Sequence, residues 1–123
     1  MQKTFIILGA VSGAIAVGLG AFGAHALKDL LTNSGRLDTY ETAVKYQMYH
    51  SLALIALGII LHQLDHKLLH YAGYAFIAGT IIFSGSLYAL CASGITKLGA
   101  ITPVGGVFLI AGWLLMAFGI YKS

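Results

Sequence analysis

"TFIILGAVSGAIAVGLGAFGAHAL", residues 4–27, holds 24 consecutive residues without a formal charge. At 1.5 Å per residue such a run is long enough, as a helix, to cross the hydrocarbon core of a bilayer. Three more uncharged runs follow, at residues 46–64, 68–96 and 98–121. Only 9% of the 123 residues are charged and 59% are hydrophobic. A soluble domain carries about 25% charged residues, so this chain has too few to cover a surface in water. Lipid is the solvent that the composition fits. A membrane β-barrel would need alternating segments of roughly ten residues, and the runs do not alternate. The fold expected is an all-α integral membrane protein, a compact bundle of four transmembrane helices in one domain. The helices are placed at about residues 4–26, 41–61, 71–93 and 99–121. Four crossings put both termini on the same side.

The first run could be mistaken for a cleaved signal peptide. Lys3 precedes it, and Ala24-His25-Ala26 has the small-x-small form of a cleavage site. The run is longer than the ~7–15-residue core of such signals, so a retained helix is expected. The net charge of +3 is spread without a Lys/Arg cluster, which gives no basis for nucleic-acid binding. Cys91 is the one cysteine, so no internal disulfide can form. Lys3, Lys67 and Lys122 on the terminal side nearly balance Lys28, Arg36, Lys97 and Lys45 on the other. The positive-inside rule therefore fixes no orientation.

Glycines mark where helices approach closely. Gly9, Gly13 and Gly20 lie on one small-residue stripe of the first helix, and Gly105, Gly112 and Gly119 recur every seven residues in the last. Small residues let transmembrane backbones meet, and packing within the chain is the reading favoured over a dimer face. Asn33-Ser34-Gly35 signals a turn. Leu27, Leu30 and Leu31 before it suit a short amphipathic segment at the interface. Thr39 is the expected cap of the second helix, and Pro103 falls in the first turn of the fourth.

The apolar part of the second helix is short, so its span must take in the polar residues before it. Topology then gathers His25, Glu41, Lys45, Tyr46, Gln47, Tyr49, His50 and Thr102 into one half of the bundle, with Ser84, Ser86 and Tyr88 reaching it from the third helix. Polar groups at that depth are costly and face the bundle interior or a wet cavity. Glu41 and Lys45 stand at i, i+4 in the favourable order. The cluster is read first as a polar network that locks the first two helices together, with His25 tying them at the membrane boundary. The alternative is a small proton-linked or solute transporter, in an oligomer, using His25, Glu41 and His50. A third reading has His25 and His50 ligating haem or another metal, although no Cys-x-x-Cys-His or His-Glu-x-x-His motif is present. His62, His66 and His70 share i, i+4, i+8 spacing with Asp65 nearby, a weak metal candidate that a solvated connection explains as well. No cofactor is expected. "FSGSLY" is not a nucleophile elbow, and no phosphate-binding glycine loop occurs.

Four stretches carry a family resemblance: "GAFGAHAL" (20–27), "ETAVKYQMYHSLAL" (41–54), "FSGSLYAL" (83–90) and "LGAITPVGGV" (98–107). Their order and spacing resemble uncharacterised protein family 0382, also called domain of unknown function 423. These are small bacterial membrane proteins related to the eukaryotic transmembrane protein 256. The resemblance implies a multi-pass protein of the bacterial plasma membrane and no particular activity. Its motif residues match here at Gly23, His25, Glu41, Tyr46, Gln47, Tyr49, His50, Ser84, Ser86, Tyr88, Thr102 and Pro103. They fall on the half-bundle that topology selects. The function expected is that of a non-enzymatic scaffold or subunit, with the lipid bilayer and either a second copy or another membrane protein as partners.

Overall fold

The computed structural model describes residues 2–123. Five helices follow in order: α1 (Gln2–Ala24), α2 (Lys28–Asn33), α3 (Leu37–Ile60), α4 (Lys67–Ser93) and α5 (Thr102–Lys122). A short 3-10 segment, Thr96–Ala100, precedes α5. No strand occurs among the described residues. Four of the helices, α1, α3, α4 and α5, are long and apolar enough to cross a membrane. The protein is an all-α membrane protein of four spans.

Several boundaries differ from those expected. Helix α1 ends at Ala24 rather than residue 26, where the chain enters a turn with the His25 N–H bonded to the Ala21 and Phe22 carbonyls. Helix α3 begins at Leu37, four residues early, so Thr39 lies inside it and caps nothing; the capping position is Arg36, which makes no side-chain cap bond. Helix α4 begins at Lys67 because His66 caps it: the imidazole Nδ1 accepts the Leu68 N–H at 3.1 Å. At its other end Gly94 sits at φ 74°, a left-handed conformation that glycine adopts without a Cβ clash, and its N–H bonds the Leu90 carbonyl. Helix α5 starts at Thr102 rather than residue 99, with Pro103 in its first turn, where no N–H is needed.

Two antiparallel hairpins make the bundle. Helix α1 lies along α3, α5 lies along α4, and the hairpins meet through α3 and α4. Glycines set the closeness of each pair. A Cβ on Gly9 would fall 2.7 Å from Ile55 Cγ1 and 2.8 Å from the Ser51 carbonyl oxygen, and one on Gly58 would meet Ile6 and the Gln2 carbonyl. In the α4–α5 seam, Gly105, Gly112 and Gly119 face Phe83, Phe76 and Leu69. Gly79 receives Leu109 in return, at 2.6 Å from its ideal Cβ to Leu109 Cδ2. These glycines serve contacts within one chain. Gly13 and Gly20 are looser, with nearest neighbours at 3.9 and 3.4 Å. Phe5, Leu54, Leu57, Leu61, Leu69, Phe76 and Leu109 fill the core toward the terminal end. The outer helices α1 and α5 expose Ile7, Val11, Val17, Val107, Ile110 and Leu114. Bare aliphatic side chains on an outer surface suit lipid as their solvent.

Candidate functional site: a polar tie beside a lipid-facing groove

The polar half of the bundle is built around Gln47, which lies on α3 between α1 and α4 and is buried. Its Nε2 donates to the Ser12 carbonyl at 2.9 Å and approaches Ser12 Oγ at 3.4 Å. Its Oε1 accepts the Tyr88 hydroxyl at 2.7 Å. One amide therefore joins three helices. Ser51, one turn further along α3, lies with its hydroxyl 2.9 Å from Ser12 Oγ and 2.7 Å from the Gln47 carbonyl. Ser84 of α4 donates to the Ala43 carbonyl at 2.7 Å. The Tyr40 hydroxyl donates to the Leu19 carbonyl, and its ring meets Tyr88 edge-on at 5.7 Å. Gly23 leaves the space in which the Tyr40 ring lies.

His50 occupies the other side of α3, against α4 and α5. Its Nδ1 lies 2.7 Å from the Tyr46 carbonyl, which can only accept, so Nδ1 carries the proton. Its Nε2 is then the acceptor, and it takes the Trp113 indole N–H at 3.1 Å. Both ring nitrogens are thus used by the neutral tautomer. Phe76 and Trp113 surround the imidazole with centroids 5.7 and 5.8 Å away. Ser86 donates to the Phe83 carbonyl, so the contact of 2.6 Å to Thr102 is a bond from the Thr102 hydroxyl, and it pins the start of α5 to α4.

Among the described residues no buried side-chain nitrogen or oxygen lacks a partner. In hydrocarbon, where water cannot substitute, that completeness matters more than any one bond.

The sequence-named residues do not all converge. Gln47, Tyr88 and Ser84 form the central network; His50 joins Tyr46 and Trp113; Ser86 and Thr102 form a separate link. His25 is exposed in the turn after α1, and no hydrogen bond or ion pair joins its side chain to α3. The ties between α1 and α3 run through Gln47, Ser51 and Tyr40 instead, because these side chains lie on the face of α3 that α1 covers. Glu41 and Lys45 are both exposed. The one ion pair among the described residues is His70 with Asp65 at 2.9 Å, so Glu41 and Lys45 do not pair with each other. Both border a cavity of about 280 Å³ with Gly20, Gly23, Tyr40 and Val44. Tyr46 stacks on Phe83 at 4.7 Å, and Tyr49 is 53% exposed. His62, His66 and His70 serve different ends: His66 caps α4, His70 pairs with Asp65, and His62 is exposed. No group of three or more His, Cys, Asp or Glu among the described residues is placed to hold a metal.

Beside the Gln47 network a groove of about 420 Å³ opens between α1 and α4, with α3 as its floor. Its walls are Leu8, Val11 and Ile15 of α1 and Ile77, Ile81 and Ser84 of α4, and its floor carries Gln47, His50 and Ser51 of α3. The volume lies in the range of small-ligand pockets. The site also depends on Ser12 and Ser51, which the sequence does not mark as part of the polar cluster, and on Trp113, which reads in the sequence as a packing or interface residue. Their signal was isolation: single hydrogen-bonding side chains within apolar runs bond across helices.

The family model "Protein of unknown function (DUF423)" matches residues 19–106, a segment that contains the Gln47 network apart from Ser12. Among curated proteins, a UPF0382 membrane protein of Staphylococcus saprophyticus is 47% identical over 121 residues, covering 98% of this chain and 99% of the relative. The UPF0382 membrane protein YwdK of Bacillus subtilis is 43% identical over 122 residues, covering 98% of each. No solved structure matches. By the extent and identity of these matches the chain belongs to the DUF423 family, the UPF0382 membrane proteins.

Proposed function

We propose that this protein is a non-enzymatic, multi-pass subunit or scaffold of a bacterial plasma-membrane assembly, and that its polar cluster serves to fix helix packing. The observation that carries this reading is the closure of the Gln47 network. Its members are neutral side chains that satisfy one another, and one amide holds α1, α3 and α4 together. The titratable groups lie elsewhere: His25, Glu41 and Lys45 are exposed, and the neutral His50 has both nitrogens engaged. A proton relay needs titratable groups within reach of one another along a path, and these four are not linked by hydrogen bonds or ion pairs. The plasma membrane is supported by relatives named as membrane proteins in Staphylococcus and Bacillus.

Reconstitution into liposomes loaded with a pH-sensitive dye tests the reading. Proton flux under an imposed gradient should equal that of empty liposomes, for both the parent chain and His50→Ala. A flux above background that His50→Ala abolishes, with the variant still folded, would overturn the scaffold reading in favour of transport.

A further inference from the structure

The cavity of about 280 Å³ opens between α1 and α3 where α1 ends. Gly20, Gly23 and Ala24 leave the room for it on the α1 side. An ideal Cβ on Gly23 would meet the Tyr40 ring, and one on Gly20 would lie 3.4 Å from Val44 Cγ1. Glu41, next to Tyr40, is therefore level with the last turn of α1. Lys45, next to Val44, lies one turn deeper in the membrane, about 6 Å at 1.5 Å per residue. Both are exposed, and among the described residues neither has an ion-pair or hydrogen-bond partner. An acid and a base at i, i+4 in this order ordinarily attract each other; here they stand apart at the rim of one cavity. Toward the membrane centre the surface is bare and apolar. Val17 stands one turn below Gly20 and is 63% exposed, and Leu52 stands two turns below Lys45 and is 58% exposed.

We propose that this cavity holds the headgroup of a zwitterionic phospholipid with a primary ammonium, the ethanolamine class, and that the acyl chains of the lipid run along Val17 and Leu52. The order of charge along the membrane normal selects the ligand. In such a lipid the phosphate sits against the glycerol at the hydrocarbon boundary, and the ammonium lies two methylenes further out. The protein presents the opposite charges in the same order, with Lys45 inside and Glu41 outside. The long lysine stem lies on apolar surface while its charge reaches up to the phosphate. A phospholipid with a net negative headgroup would satisfy Lys45 and leave Glu41 facing an anion. A primary ammonium donates N–H bonds that a carboxylate accepts. A quaternary ammonium donates none and is held by an aromatic cage, of which Tyr40 is the one aromatic member in this cavity. The volume is smaller than that of pockets that enclose a drug-sized ligand, so it suits a headgroup whose chains remain outside.

The test reconstitutes the full chain into nanodiscs of phosphatidylethanolamine, phosphatidylcholine and phosphatidylglycerol in equal parts, all with the same acyl chains. Native mass spectrometry then counts the lipids that stay bound on transfer to mild detergent. Phosphatidylethanolamine should be retained over each of the others by roughly threefold or more, the scale of one exposed ion pair. Glu41→Gln should remove its advantage over phosphatidylglycerol, and Lys45→Gln should lower the retention of both. These two changes lie at exposed positions and leave the packing intact. Gly20→Leu keeps both charges and fills the cavity, and it should abolish the preference. Lys28→Gln, on α2 outside the cavity, should leave it unchanged. Equal retention of the three lipids overturns the proposal, as does a preference for phosphatidylglycerol. Equal retention of phosphatidylethanolamine and phosphatidylcholine overturns the primary ammonium. A preference that survives both Glu41→Gln and Lys45→Gln places the lipid elsewhere. Glycerophosphoethanolamine, the same headgroup without chains, should not displace the lipid; displacement would assign the cavity to a soluble zwitterion and overturn the lipid.

Discussion

Adding one methyl group at Gly9 should loosen the whole polar half of the bundle. In Gly9→Ala the new Cβ would fall 2.7 Å from Ile55 Cγ1, 2.8 Å from the Ser51 carbonyl oxygen and 3.2 Å from the Ile55 amide nitrogen. Ordinary carbon contacts lie near 3.5–4.0 Å. Two of the three neighbours are backbone atoms, which cannot swing aside, so α1 must retreat from α3 by about 1 Å. Ser12 lies on the next turn, and the same displacement stretches its bonds to Gln47 and Ser51, now 2.9 Å each. Overpacking costs about 1–3 kcal/mol. Two interhelical hydrogen bonds at ~0.6 kcal/mol each add about 1 kcal/mol. The expected loss is therefore about 2–4 kcal/mol, summed from the same two sources. Gly18→Ala is the matched control on the same helix, because nothing lies within 4 Å of its ideal Cβ; it should change stability by less than about 0.5 kcal/mol. Cys91 supplies the assay: it is the one cysteine, partly buried against the Arg36 carbonyl, and unfolding exposes it to a fluorogenic maleimide. Thermal and SDS titrations read out both variants. Equal stability of Gly9→Ala and Gly18→Ala would refute the close α1–α3 seam.

Other expectations follow from single contacts. Trp113→Phe keeps the aromatic packing on Phe76 but removes the donor to His50 Nε2; a loss of about 1 kcal/mol is expected in the same titrations. His66→Ala removes the α4 cap and should cost ~1 kcal/mol, while His66→Asn, a good cap, should recover most of it. Asp65→Asn breaks an ion pair whose carboxylate side is 79% exposed, so the change should stay within about 0.5 kcal/mol.

The spans were readable because charge is so sparse: a run like residues 4–27 admits few structures in lipid. The boundaries were less so. Thr39 looked like a cap, yet the helix extends past it to Leu37, and at the start of α4 an imidazole does the work usually given to serine or aspartate. Glycine spacing pointed to close packing at Gly9 and Gly112, but Gly58, Gly73 and Gly79 fill the same role without an obvious repeat; Gly73 makes room for the Phe5 ring. At the site, topology gathers His25, Glu41 and Lys45 together with Gln47, Ser84 and Tyr88, and the structure leaves the first three on the outside. The buried tie falls to the quieter Gln47, Ser12 and Ser51. Sequence shows which residues are polar; which face of a helix they occupy depends on the rotation set by the glycine seams.

The most direct test of the central claim is the coupling between Gln47 and Tyr88, measured by a double-mutant cycle of Gln47→Leu, Tyr88→Phe and the pair. If the amide is a structural tie, each single change destabilises. The pair should then cost less than the sum by about 0.5–1.7 kcal/mol, the range of interhelical hydrogen bonds in membranes. Additive effects, or a Gln47→Leu variant as stable as the parent chain, would contradict the account.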